Sequence, residues 1–131
     1  MNKHIINLDL HGGDFAPKSV LEGATIALSK NPTIHFKLHS TKELQQQYSK
    51  KFSDIFQKCD WIEADNIISP GMKPSEALKK DNRKSSMSNA ISDLKNNGNE
   101  ITISAGNTGA MMAYATVYLR TIENISRPAI A

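Results

Sequence analysis

At 131 residues the chain has room for one domain with a true core and too little for two ordinary ones. Its 39% hydrophobic and 22% charged residues exclude disorder, and its single cysteine, Cys59, excludes an internal disulfide and points to a reducing compartment. The formal charge of +3 is scattered, with small clusters at Lys50-Lys51 and from Lys79 to Lys84. That makes a poor nucleic-acid surface and suits an anionic small molecule or an acidic protein.

The N-terminus lacks the apolar core and cleavage site of a signal peptide, and no apolar run approaches the roughly 18 residues of a membrane span. A soluble, cytoplasmic protein is expected. His4 to Leu10 is apolar and β-rich and reads as a buried first strand. Asp9-Leu10-His11-Gly12-Gly13-Asp14 follows as a glycine turn, and Pro17 suits the first turn of a helix that carries Val20, Leu21, Ala24 and Leu28 on one face. Asn31-Pro32 ends it. Ile34, Phe36 and Leu38 alternate with His35, Lys37 and His39, predicting a second strand whose histidines face solvent.

Ser40-x-x-Glu43 has the form of a capping box, opening one helix with Leu44, Tyr48, Phe52 and Ile55 on its inner face. Trp61-Ile62 marks a third strand, after Cys59, which reads as a small core residue rather than a nucleophile. Asp65 to Pro74 is a loop, and a short helix covers Ser75 to Lys80. Ser85-Ser86 opens a helix with Met87, Ala90, Ile91 and Leu94 inward, with Gly98 as its C-cap. Strands alternating with helices predict a parallel sheet covered on both faces, an α/β three-layer fold.

The chain is organised around Ile101 to Ala113. A strand over Ile101 to Ser104 runs into a turn, and a helix opens at Asn107 or Thr108 and continues to about Thr121. Gly106 and Gly109 permit positive φ and close approach of another group, and Asn107 and Thr108 are good capping residues. Unpaired N–H groups at a helix start suit an anion, phosphate first, although many α/β turns of this composition hold no ligand. Neither a G-x-x-x-x-G-K-[ST] loop nor G-x-G-x-x-G occurs, which disfavours a dehydrogenase-like nucleotide binder. Arg127 to Ala131 has the start of a further strand.

Other chemistry-bearing residues admit two readings each. Asp9 and Asp14 either cap the turn and the next helix or form a carboxylate pair or a metal site. His11 stands where an acid or base could act, without a visible partner. Lys79, Lys80, Arg83 and Lys84 are either a solvated face or a basic loop that meets a phosphorylated or acidic partner.

Four blocks, G-G-D-F-A-P-K-S-V (12–20), S-S-M (85–87), S-A-G-N-T-G-A-M-M-A (104–113) and R-P-A-I-A (127–131), together resemble the bacterial phosphate acyltransferases of phospholipid synthesis, the PlsX family. The resemblance implies a Rossmann-like α/β/α fold akin to phosphotransacetylases and the isocitrate or isopropylmalate dehydrogenase type. It implies transfer of a fatty acyl group from acyl carrier protein to inorganic phosphate, with no cofactor and no metal. The acyl phosphate would feed a membrane glycerol-3-phosphate acyltransferase, so the protein would meet the membrane only peripherally, through that partner. Full-length relatives would be homodimers.

On this resemblance Gly12, Gly13, Gly106, Thr108 and Gly109 are expected to hold phosphate. Asn107, Ser104 and Asp14 are expected to be catalytic, and Lys79, Arg83 and Lys84 to meet the carrier protein. Two departures stand out. The family usually reads D-A-M-G-G-D, so His11 replaces a methionine; and family members run to well over twice this length. Residues 1–131 therefore read as a single α/β domain matching the N-terminal part of a larger one. A non-catalytic remnant that keeps a phosphate-binding or interaction half-domain is the alternative.

Overall fold

The computed structural model describes residues 3–81 and 84–129. Four parallel strands, β1 (His4–Asp9), β2 (Ile34–Ser40), β3 (Asp60–Glu63) and β4 (Glu100–Ile103), form one sheet in the order β3-β2-β1-β4. Successive side chains on a strand point to opposite faces, so the register decides what each face carries. Ile6 lies beside Phe36 and Ile101, and Leu8 beside Leu38 and Ile103, which makes the first face apolar. Asn7 lies beside Lys37 and Thr102, and Asp9 beside His39, which makes the second face polar.

Helices cover both faces. On the first, Leu21 and Ala24 of α1 (Lys18–Lys30), Leu44 of α2 (Lys42–Tyr48) and Ile55 of α3 (Ser53–Lys58) bury against Leu8, Phe36 and Leu38, with Cys59 in the same core. On the second, α4 (Pro74–Asp81), α5 (Ser86–Ser92), α6 (Thr108–Tyr114) and the turn after it form a core of Ala77, Met87, Ile91, Ala110, Tyr114 and Tyr118. The rings of Tyr114 and Tyr118 stack at 5.4 Å, and the Tyr114 hydroxyl donates to the Ala77 carbonyl at 2.9 Å, tying α6 to α4. This is the expected three-layer parallel α/β arrangement. Among the described residues no helix is long and apolar enough to cross a membrane.

Several local expectations change. The helix after β2 is capped by Thr41, whose hydroxyl accepts from the Leu44 N–H, because the Ser40 hydroxyl is buried and bonded by the Trp61 indole N–H at 2.8 Å. That helix breaks into α2 and α3, yet Leu44, Tyr48, Phe52 and Ile55 all reach the same core. Gly98 is not a left-handed cap: α5 tightens instead into a 3-10 turn, Asp93–Asn96. Helix α6 widens into a π-helical turn, Ala115–Leu119, and stops where Arg120 takes φ 62°. Residues 121–129 form no strand and are exposed, so the strand expected from Arg127 is absent over its described part.

The largest correction concerns His39, expected in solvent and found fully buried beneath α5. A chain of hydrogen bonds crosses the polar face. Lys37 Nζ donates to Glu100 Oε1 at 2.7 Å, and Asn7 Nδ2 donates to Glu100 Oε2 at 2.7 Å. Asn7 Oδ1 is then left to accept from His39 Nε2 at 2.9 Å. That places the hydrogen on Nε2 and leaves Nδ1 buried without a protein partner. His35 is half-buried, its Nε2 3.0 Å from the exposed Asp60 carboxylate.

Burial, helped by Lys37, pushes the His39 pKa down from 6.5 to about 4; Glu100 only partly opposes this, and Asp93 Oδ2 stands 3.9 Å away. A depressed histidine pKa means that the unfolded chain takes the proton first. Its stabilising contribution is complete above about pH 6.5 and is lost as the pH falls through about 4. Glu100, which burial pushes up but the Lys37 and Asn7 hydrogen bonds hold below the usual carboxylate range, acts in the same sense at lower pH; burial raises Asp93, which opposes it. Urea unfolding should therefore lose about 2–3 kcal/mol between pH 7 and pH 4.5 through His39. His39→Gln should flatten that slope, and an unchanged slope in the variant would refute the assignment.

Candidate functional site

The carboxyl ends of β1 and β4 meet at the Asp9 carboxylate, which is 2% exposed. Its Oδ1 accepts from the Ser86 hydroxyl at 2.6 Å and the His11 N–H at 3.1 Å, and its Oδ2 accepts from the Ser104 hydroxyl at 2.7 Å. A carboxylate in that position needs such donors to occupy its lone pairs. One side chain thus joins the first strand, the start of α5 and the end of β4. Ser104 Oγ passes the constraint on by accepting from the Gly106 N–H at 3.2 Å.

The two glycine corners are in contact. A Cβ added to Gly12 would stand 2.7 Å from Gly106 N and 2.7 Å from Ser104 Oγ, and one on Gly106 would stand 3.2 Å from Gly12 Cα. Close approach, rather than unusual backbone, is what Gly12, Gly106 and Gly109 supply; only Gly13, at φ 109°, uses the left-handed region.

Asn107 caps α6 as its residue type suggests, Oδ1 accepting from the Ala110 N–H at 3.1 Å. Its Nδ2 hydrogens are shared among the carbonyls of Ser69, Pro70 and Met72 at 3.1, 3.3 and 2.7 Å. The amide therefore pins the 69–72 loop over the corner, and both its ends are engaged. A cleft of about 400 Å³ remains, lined by His11, Gly13 and Asp14 on one side and by Ala105 to Gly109 on the other, with Ile68 and Pro70 at its rim. The N–H groups of Thr108 and Gly109, in the first turn of α6, make no intrachain hydrogen bond among the described residues.

The structure thus brings Gly12, Gly13, Asp14, Ser104, Gly106, Asn107, Thr108 and Gly109 to one corner. Asp14 is exposed at the cleft. His11 is not a free acid or base in this arrangement: its Nε2 accepts from the Thr41 N–H at 3.0 Å, and burial lowers its pKa. Lys79 and Lys84 are exposed; Lys79 lies roughly 7 Å along α4 from Pro74, the residue that abuts Gly109. Arg83 lies outside the described residues. Asp9 caps the turn through the His11 N–H but neither caps the next helix nor pairs with Asp14, and Ser86 is part of the site through it. The sequence signal for this triad was the block Ser85-Ser86-Met87 together with an aspartate ending the first strand. Only the crossing of α5 over β1 reveals their contact.

A parallel sheet with ligand-sized space at the carboxyl ends of adjacent strands defines the open α/β class. Within it, the family described as "Fatty acid synthesis protein" matches residues 5–131, and the chain belongs to that family. It is 43% identical over 126 residues to a protein of Rhizobium rhizogenes named phosphate acyltransferase. It is 40% identical over 126 residues to one of that name from Rhodopseudomonas palustris, and 41% over 133 residues to one from Rhizobium meliloti. Each match covers 96% of this chain and 36% of the relative, so the chain spans about a third of the length of these relatives.

The packing separates two glycine substitutions. Gly12→Ala forces backbone against backbone and should cost about 1–3 kcal/mol in urea unfolding. Gly23→Ala, in α1 with nothing within 4 Å of the new methyl, should stabilise by about 0.5–1 kcal/mol. Equal effects from the two would contradict the contact between the corners.

Proposed function

We propose that this chain supplies the phosphate-holding corner of a phosphate acyltransferase, in which a fatty acyl group passes from acyl carrier protein to inorganic phosphate. The observation that carries this reading is the contact between the Gly12-Gly13 and Gly106–Gly109 corners beside a cleft with free N–H donors. The shared name of the relatives supports it.

Phosphate sits against the N–H groups of Thr108 and Gly109 at the positive end of α6. Ser104, held by Asp9, and Asn107, held by the 69–72 loop, keep those donors in place. One phosphate oxygen attacks the thioester carbonyl, the C–S bond breaks, and the carrier's thiol leaves with the proton of hydrogen phosphate. Thiolate is a fair leaving group, so positioning and charge compensation are the main requirements, and no covalent nucleophile is needed. Asp14 at the cleft edge would repel bound phosphate, which suits it to holding the transferred proton rather than the anion. Lys79, Arg83 and Lys84 offer positive charge to an acidic carrier. The product would pass to a membrane glycerol-3-phosphate acyltransferase. A non-catalytic half-domain that binds phosphate is the second reading.

Thr108→Pro tests the site cleanly, because proline is tolerated at the first helical position and deletes one N–H donor. Phosphate titrated into the 131-residue chain should shift the amides of Thr108 and Gly109, and Thr108→Pro should weaken binding at least tenfold without lowering the melting temperature. The same change in a full-length relative should cut acyl phosphate formation, read by hydroxylamine trapping. Phosphate binding by this chain without turnover would favour the half-domain; amide shifts confined elsewhere would refute both readings.

A further inference from the structure

Asn97-Gly98 is the one Asn-Gly pair in the sequence, and such a pair marks a turn. It lies in the exposed connection between the 3-10 turn Asp93–Asn96 and β4, at the amino end of that strand and away from the glycine corner. An asparagine side chain carries an electrophile, its amide carbon, within reach of the main-chain nitrogen of the next residue. Attack by that nitrogen closes a cyclic imide and expels ammonia. The reaction needs an N–H that is not already given to an acceptor, and a following residue without a side chain to crowd the ring.

Asn96, Asn97 and Asn99 share this turn, and its hydrogen bonds separate them. Asn96 is followed by Asn97, whose N–H donates to the Leu94 carbonyl at 3.3 Å. Asn99 is followed by Glu100, whose N–H donates to the Asn97 carbonyl at 3.1 Å. The Gly98 N–H makes no hydrogen bond among the described residues, and a Cβ built on Gly98 would meet nothing within 4 Å. Asn97 Nδ2 donates to the Asp93 carbonyl at 2.8 Å, so the amide must leave that acceptor before it turns onto the Gly98 nitrogen. Asn97 and Gly98 are exposed, and water replaces the lost bond. Asn7 and Asn107 lack this freedom, because both ends of each amide are engaged.

We propose that Asn97 is a self-modification site, converted through the Gly98 nitrogen into aspartate and isoaspartate. The Gly98 nitrogen bonds to Asn97 Cγ, the Cγ–Nδ2 bond breaks, and Nδ2 leaves as ammonia with the proton of the Gly98 N–H. Water then opens the imide. Opening at Cγ gives aspartate; opening at the main-chain carbon gives isoaspartate, which routes the chain through the side chain and adds a methylene to the backbone. That insertion falls just before Glu100, whose carboxylate holds Lys37 and Asn7, so isoaspartate disturbs the entry of β4 and the polar network with it. The proposal is independent of whether the glycine corner binds phosphate.

Ageing the 131-residue chain in mildly alkaline buffer tests it, read by peptide mass spectrometry and by isoaspartyl methyltransferase labelling. The expected result is a gain of one mass unit and methyl acceptance at Asn97, at a rate at least tenfold above that at Asn96 or Asn99. Gly98→Ala places a methyl in open space on a backbone that is not left-handed, so the variant should melt as the parent does. It should slow the conversion at least tenfold. The isoaspartyl form, separated by ion exchange, should melt below the fresh chain. No conversion at Asn97, conversion spread evenly over the three asparagines, or a Gly98→Ala variant that converts as fast as the parent would overturn the proposal. An isoaspartyl form that melts as the fresh chain does would overturn the link to Glu100.

Discussion

The Asp9 carboxylate is the constraint on which the candidate site depends. A carboxyl group that is 2% exposed is tolerated only when its polar atoms have partners, and here two hydroxyls and a backbone N–H supply them. Those three donors come from the β1 turn, from α5 and from the end of β4, segments 77 and 95 residues from Asp9 in the case of Ser86 and Ser104. Satisfying one aspartate therefore fixes where α5 crosses the sheet and where the second glycine corner begins. The approach of Gly12 to Gly106 follows, and a side chain at either position would separate them.

The same economy runs across the rest of the polar face. Parallel sheets are usually apolar on both sides, yet here Lys37, Glu100, Asn7 and His39 form a connected network under α5. Among the described residues, the one buried side-chain polar atom left without a partner is His39 Nδ1. His39 ends the series with a bare Nδ1, so that face is the acid-sensitive layer of the molecule, while the α1 face is held by apolar burial that pH does not touch. Thr102, whose hydroxyl donates to the Ala90 carbonyl, extends the polar attachment of α5 to β4.

Asn107 shows how a residue's type can be read correctly and its use only in part. Its position before an apolar run marks a helix cap, and it is one. The capping oxygen is half of the amide; the nitrogen reaches three carbonyls some 35 to 38 residues earlier in the chain, which no local pattern announces. His11 is similar. Its place at a strand end suggests chemistry, but its Nε2 lone pair faces the Thr41 N–H and joins the first βα turn to the second. Ser40 and His39 were misjudged for one reason: alternation along β2 tells which side a residue takes, and only the packing of α5 and Trp61 tells whether that side is wet.

By itself the sequence determined the order of strands and helices, the parallel α/β class, the two glycine corners and the family, because periodicity, turn chemistry and block spacing are local properties of the chain. It also marked Gly106 and Gly109 as places of close approach. The meeting of the two corners, expected from their shared place at the carboxyl ends of strands, is found; tertiary structure alone decided that Asp9 gathers Ser86 and Ser104, that His39 is buried, and that Ile101 and Ile103 of β4 are exposed. Each of those depends on which segments cross, and a residue's neighbours across a sheet are set by register and packing, not by distance along the chain.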